Sequence, residues 1–169
     1  VRKQEKVWNV VLSGYPCSGK TRVAKRLVGE TQSFVRLGAD DMRRMMFDET
    51  YPSRNEDLVF ETLMAARDSI LEDGKSVVVD TSAPNNRIRA MLLSTRVKNV
   101  KPVLVMVESN RKILASRNEA EGRWRTVEQW DRYWEAPHVK AQIIKIKNNS
   151  TKEFETGYHA LSKKLGFGL

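Results

Sequence analysis

A chain of 169 residues with 30 Lys and Arg against 21 Asp and Glu carries a formal net charge of +9. That length suits one domain with its own core, and 40% hydrophobic with 30% charged residues excludes a disordered segment. No apolar run approaches the roughly 20 residues of a membrane span, the first residues lack the apolar stretch of a secretory signal, and the lone Cys17 precludes an internal disulfide, so a cytoplasmic protein is expected.

Trp8–Ser13 (WNVVLS) predicts a buried first strand. It runs into Gly14-Tyr-Pro-Cys-Ser-Gly19-Lys20-Thr21, the pattern G-x-x-x-x-G-K-T, followed by a helix over Thr21–Val28. A strand before and a helix after are what a phosphate cradle needs. Glycines let the backbone curl its N–H groups inward, and the helix N-terminus adds partial positive charge. Gly14, Ser18, Gly19, Lys20 and Thr21 are the candidate nucleotide contacts. Lys20 can bridge the β- and γ-phosphates, and the Thr21 hydroxyl can ligate Mg²⁺. Cys17 has no histidine near it in sequence to activate it, and reads as a small loop filler.

Phe34–Gly38 predicts a second strand ending in Ala39-Asp40-Asp41-Met42-Arg43-Arg44. Asp40 and Arg43 share a face at the start of a short helix. There a carboxylate can take the proton of an attacking alcohol, and an arginine can hold an anionic acceptor. The plain alternative is an acidic helix start beside solvated arginines. Ser53 and Glu56 have capping-box spacing and predict the start of a long helix bearing Phe60, Leu63, Met64, Ile70 and Leu71. Ser76–Asp80 predicts a third strand. Asp80 ends it where parallel sheets bind ligands and can reach the Mg²⁺ shell through water, or it caps the segment at Asn85. A turn at Pro84 leads to a helix near Arg87–Val97, with Arg87 a candidate acceptor contact.

Pro102–Val107 predicts a fourth strand, and Arg117–Arg125 a mobile loop between two helical stretches. Arg117 and Arg123 are candidates to neutralise a transferring phosphoryl group, in a lid spanning about 117–136. Val127, Trp130 and Trp134 fall at helical spacing, which turns both tryptophans to the core, whereas Trp124, between Arg123 and Arg125, suits stacking on a base. Gln142–Ile146 predicts a fifth strand, and Ser150 with Glu153 caps a terminal helix. His138 and His159 have no metal-ligand spacing. Apolar strands alternating with helices predict an α/β fold, three-layered around a five-stranded parallel sheet, in a single domain over 1–169.

The P-loop, Asp-Asp-x-Arg, Val-Val-Asp-Thr and Arg-Asn motifs occur in that order, and with them the chain resembles P-loop kinases of the polynucleotide 5′-hydroxyl kinase group. Seryl-tRNA kinases and zeta-toxin-like kinases look related. The resemblance implies Asp40 as general base, Arg43 on the phosphate beside the acceptor nucleoside, Asp80 on the metal side and Arg117 as first lid arginine. Where such relatives carry a second lid arginine this chain has Glu121, which turns attention to Arg123 or Arg125. Asn148-Asn149-Ser150-Thr151 matches the loop bracketing the adenine, with Thr151 a donor contact, and implies ATP as donor.

The expected function is transfer of the γ-phosphate of ATP, with Mg²⁺, to a 5′-hydroxyl end of RNA or DNA. Two alternatives stand beside it: a kinase of a tRNA-attached group or small-molecule hydroxyl, and a regulatory tRNA-binding ATPase. Lys140, Lys145, Lys147 and Lys152 sit in an acid-free stretch, and Arg36, Arg43 and Arg44 surround Asp40. The charge excess thus gathers in segments bordering the phosphate site and favours a polyanionic acceptor.

Overall fold

The structure, a computed structural model, describes residues 6–122 and 126–167. Arg123, Trp124 and Arg125 lie outside the described residues, and with them the second lid arginine and the expected base-stacking tryptophan. The elements follow in chain order as β1 (Val7–Ser13), α1 (Lys20–Glu30), β2 (Phe34–Gly38), α2 (Ala39–Phe47), α3 (Glu56–Glu72), β3 (Ser76–Asp80), α4 (Asn86–Leu93), β4 (Val100–Glu108), α5 (Arg111–Ala120), α6 (Val127–Asp131), β5 (Gln142–Lys147) and α7 (Thr151–Leu165).

The strands form one five-stranded sheet in the order β2-β3-β1-β4-β5, and every pairing is parallel. Alternate residues of each strand serve opposite faces. Val10, Leu12, Val103, Val105 and Ile146 meet α1 and α7 through Val23, Leu27, Phe154, Tyr158 and Leu161. Val11, Val77, Val79, Leu104 and Met106 meet α2, α3 and α4 through Met42, Val59, Leu63 and Leu92. Both faces are covered, which is why the strands read as continuous apolar runs.

Several sequence expectations shift. β4 begins at Val100 and passes through Pro102, which pairs with Asn9 of β1 while β5 joins β4 only from Val103. The missing proline N–H therefore costs no ladder bond to β5. α3 is capped by Asn55, whose side chain accepts from the Leu58 N–H, so Ser53 is not its cap. Glu56 instead accepts from the Ser53 N–H at 2.8 Å and hydroxyl at 2.6 Å, closing the turn before the helix. α4 stops at Leu93 because Ser94 is extended. The capping expected of Ser150 holds, with the Glu153 N–H donating to its hydroxyl. Arg117 lies in the last turn of α5 rather than in a loop.

Candidate active site

The C-terminal ends of β1, β2 and β3 open onto a cleft of about 930 Å³ lined by the P-loop, α2, Thr50 and Tyr51, Phe60 of α3, the β3–α4 loop, Glu121 and Gly122 after α5, and Trp130 of α6. Ligands bind at this edge of open parallel sheets.

The donor side is built from backbone. The Gly14 N–H donates to Ser82 O, and a Cβ at Gly14 would strike the carbonyl oxygen of Val107. Cys17 (φ 66°) and Gly19 (φ 104°) both take left-handed conformations, and a Cβ on Gly19 would strike the Asn148 side chain. Only glycine meets both demands at Gly19. α1 then starts with no side-chain cap, unlike α3, α4, α5, α6 and α7. Its first-turn N–H groups are left for an anion. Lys20, 8% exposed, donates from Nζ to Gly14 O at 2.9 Å and Tyr15 O at 2.8 Å. Ser18 is buried and its Oγ finds no partner among the described residues. These features fit a nucleotide triphosphate, whose oxygens would take the first-turn N–H groups and the Lys20 ammonium. No described group of three or more His, Cys, Asp or Glu could hold a metal alone. Thr21 and Asp80, both on the cleft lining, would offer the one or two protein oxygens with which Mg²⁺ is usually carried beside phosphates and water.

Thr21 is exposed on the cleft wall and Asp80 lies at its floor. The Asp80 side chain is only 5% exposed, and its Oδ2 accepts from Arg36 Nη2 at 2.8 Å and Nε at 3.1 Å. Arg36 also reaches Asp41 at 2.6 Å. Burial pulls the Arg36 guanidinium down, but Asp80 and then Asp41 outweigh it and raise its pKa.

The opposite side of the cleft, at α2, is built from side chains. Asp40, half exposed in the first turn of α2, accepts from Arg43 Nη1 at 2.8 Å. Arg43 is buried and shared: its Nε and Nη2 also bind Glu56, at 2.9 Å and 2.7 Å. Burial lowers the Arg43 pKa, yet Glu56 and Asp40 raise it above its ordinary value. Burial likewise pushes Glu56 up, and the hydrogen bonds from Arg43 and Ser53 bring it below the usual carboxylate range. Tyr51, Phe60 and Trp130 line this half of the cleft, with Arg43 5.0 Å from the Tyr51 ring centroid and Trp130 5.7 Å beyond. Trp130 thus faces the cleft instead of the core, while Trp134 packs partly buried on the second core, 4.4 Å from the Tyr15 ring.

The remaining expected residues divide. Arg117 donates to Cys17 O at 3.2 Å, Ser109 Oγ at 3.4 Å and Asn148 O at 3.3 Å, so α5 is docked on the P-loop. Arg87 is exposed in the first turn of α4, and Thr151 is exposed at the start of α7; neither lines the cleft. Asn148, which the sequence marked only as part of the loop at the adenine, is 5% exposed and donates to Ser18 O at 2.8 Å, a P-loop contact that the sequence did not signal. No helix among the described residues is long and apolar enough to cross a membrane.

The architecture is shared with solved structures. A protein of Chloroflexus aurantiacus superimposes with a TM-score of 0.71 at 14% identity, covering 98% of this chain and 99% of its own. A sugar kinase from Janibacter gives 0.68 at 17% identity, with 96% of each chain covered. A chain of the Pnkp1/Rnl/Hen1 complex gives 0.60 at 18% identity, but only 44% of that chain is spanned, by 82% of this one. No curated protein sequence gives a significant match. The profile of the AAA_33 family, an AAA domain, matches residues 10–135, which include the P-loop, Asp40, Asp80 and Arg117. With that match, which spans most of its length, the chain belongs to the AAA_33 family.

Proposed function

We propose that this protein transfers the γ-phosphate of ATP to the 5′-hydroxyl of an RNA or DNA end. The observation that carries the reading is Asp40: it lines the same cleft as Lys20, at the mouth of a wall made of Tyr51, Phe60 and Trp130. Mg²⁺, bound with the nucleotide, supplies charge neutralisation on the phosphate oxygens. Thr21 is the residue to hold it, with Asp80 acting through water.

Asp40 accepts the proton of the 5′-hydroxyl as its oxygen attacks the γ-phosphorus, and the bond to the β-phosphate oxygen breaks to release ADP. Lys20 leaves its two carbonyl partners to follow the charge on the transferring group, and Arg117, already against the loop, is placed to assist. Arg43 holds Asp40 in place and presents its guanidinium to the acceptor's phosphate. The aromatic wall favours an acceptor with a base to stack, worth about 1–3 kcal/mol per base. Exposed Lys25 and Arg44 on the cleft rim favour a polyanion. The likeness to a component of an RNA repair complex supports the same direction.

A second reading, phosphorylation of a small-molecule hydroxyl, is favoured by the likeness to a sugar kinase, which covers 96% of both chains. The test is transfer of labelled γ-phosphate into a panel of 5′-OH RNA, 5′-OH DNA, tRNA, nucleosides and sugars. Labelling of oligonucleotide ends supports the first reading. Labelling confined to sugars or other small alcohols replaces it with the second, and hydrolysis without any labelled acceptor points to a regulatory ATPase.

A further inference from the structure

Arg89 is fully buried, yet among the described residues no carboxylate hydrogen-bonds to it. Its fork is satisfied by neutral oxygens drawn from segments far apart in sequence. Nε donates to Ser13 Oγ at 3.1 Å and Ala83 O at 2.9 Å. Nη2 donates to Pro84 O at 3.0 Å, and Nη1 to Asn86 Oδ1 at 3.1 Å and Glu135 O at 2.8 Å. Ser13 ends the strand that feeds the P-loop, Ala83 and Pro84 form a wall of the cleft, and Glu135 is where the chain leaves the lid. Burial with only the more distant Glu135 charge in support lowers the pKa of the guanidinium. A cation held in so unfavourable a place is an investment that packing alone does not explain, since an apolar side chain fills such a site at lower cost.

The surrounding contacts tighten the same junction. Glu135 N–H donates to Pro84 O at 2.9 Å, and Asn86 N–H to Glu135 Oε2 at 2.9 Å. The Asn86 side chain binds Ala136 O at 2.9 Å and the His138 N–H at 2.8 Å. Trp134 lies 5.0 Å from the Arg89 guanidinium and 4.4 Å from the Tyr15 ring. The Tyr15 hydroxyl donates to Asp131 of α6 at 2.6 Å. The C-terminal end of the lid is therefore pinned to the cleft wall, while α6 rests on the P-loop.

We propose that Arg89 is a positioning residue that fixes the stretch from α6 to His138 to the β3–α4 wall, and so sets how well that stretch, with Trp130 on the cleft, shields the cleft from water. Its catalytic consequence rests on the phosphotransferase reading above; the anchoring does not. Lysine keeps the charge but cannot span Ser13, Pro84 and Glu135 with one planar fork. Arg89→Lys and the gentler Asn86→Ala, which cuts the side-chain bonds to Ala136 and His138, are compared with the unaltered protein. Two readouts are made. Hydrogen exchange over residues 127–138 is expected to quicken about tenfold in both variants while β1 and β3 keep their protection. The ratio of phosphate transferred to acceptor over phosphate released to water is expected to fall about tenfold, with ATP affinity kept. Unchanged exchange over 127–138 in both variants overturns the anchor, and a transfer-to-hydrolysis ratio that stays fixed while both rates fall overturns its role in keeping water out. If the unaltered protein labels no acceptor, the functional reading fails and the exchange measurement alone decides the anchor.

Discussion

The donor and acceptor halves of the cleft are made differently. The donor half is a short contiguous stretch, Gly14–Thr21, in which backbone amides, two left-handed residues and an uncapped helix start create the site. On the proposed reading, the acceptor half assembles Asp40 and Arg43 from α2, Tyr51 from the turn leading into α3, and Trp130 from α6, with Glu56 at the start of α3 holding Arg43. A backbone cradle recognises what all nucleotides share, whereas a wall of side chains selects one acceptor. Breaking each half should therefore give different kinetic signatures.

The largest effect is expected from Lys20→Ala. Losing the buried ammonium should cost about 10³-fold or more in transfer, since the group stabilises charge in the transferring phosphoryl. Steady-state labelling with a thermal melt to verify folding checks it; transfer within tenfold of the unaltered protein contradicts it. Asp40→Asn comes next, with a loss of about 10²–10⁴ in kcat and ATP binding intact, because general-base work has that typical size. Equilibrium binding of ATP separates this from damage to the donor half.

Tyr51→Ala and Trp130→Ala should act on the acceptor alone. Each should raise the KM for a 5′-OH oligonucleotide by about tenfold, from the loss of a stacking contact, and leave the KM for ATP unmoved. An equal rise in both constants would erase the distinction between the halves. The smallest effect concerns Glu56, whose folded pKa lies below its ordinary value of 4.5. A depressed carboxylate stabilises the fold above its unfolded pKa, and that contribution is lost as pH falls through the folded one. Glu56→Gln should therefore lower stability at neutral pH by about 1–2 kcal/mol and flatten the acid limb of the unfolding profile. An acid limb that keeps its slope would show that the Arg43–Glu56 pair carries no net linkage.

The same contrast explains what could be read from the sequence. Strand ends at Gly38 and Asp80 were legible because a turn signal or a carboxylate interrupts an apolar run. The P-loop was legible because its chemistry is local in sequence. Asp40 was legible as a carboxylate at the sheet's ligand edge. Its tie through Arg43 to Glu56 was not, because Glu56 carried an equally good capping signal and Asn55 took the cap. Trp130 matched a core spacing, but α6 ends at Asp131 and is too short for that period to bind its face to a core. Arg89 has no sequence signal, and nothing in the sequence ties Asn148 to the P-loop. Each is buried because tertiary contacts supply carbonyl oxygens from distant loops.

Asp40 is where the proposed chemistry stands or falls. Transfer of labelled γ-phosphate from ATP to a 5′-OH oligonucleotide, compared between the unaltered protein and Asp40→Asn at matched ATP occupancy, tests it most directly. Labelled oligonucleotide is expected with the first and a loss of at least about a hundredfold with the second. Equal labelling by the two proteins, or no labelled end with either, would contradict it.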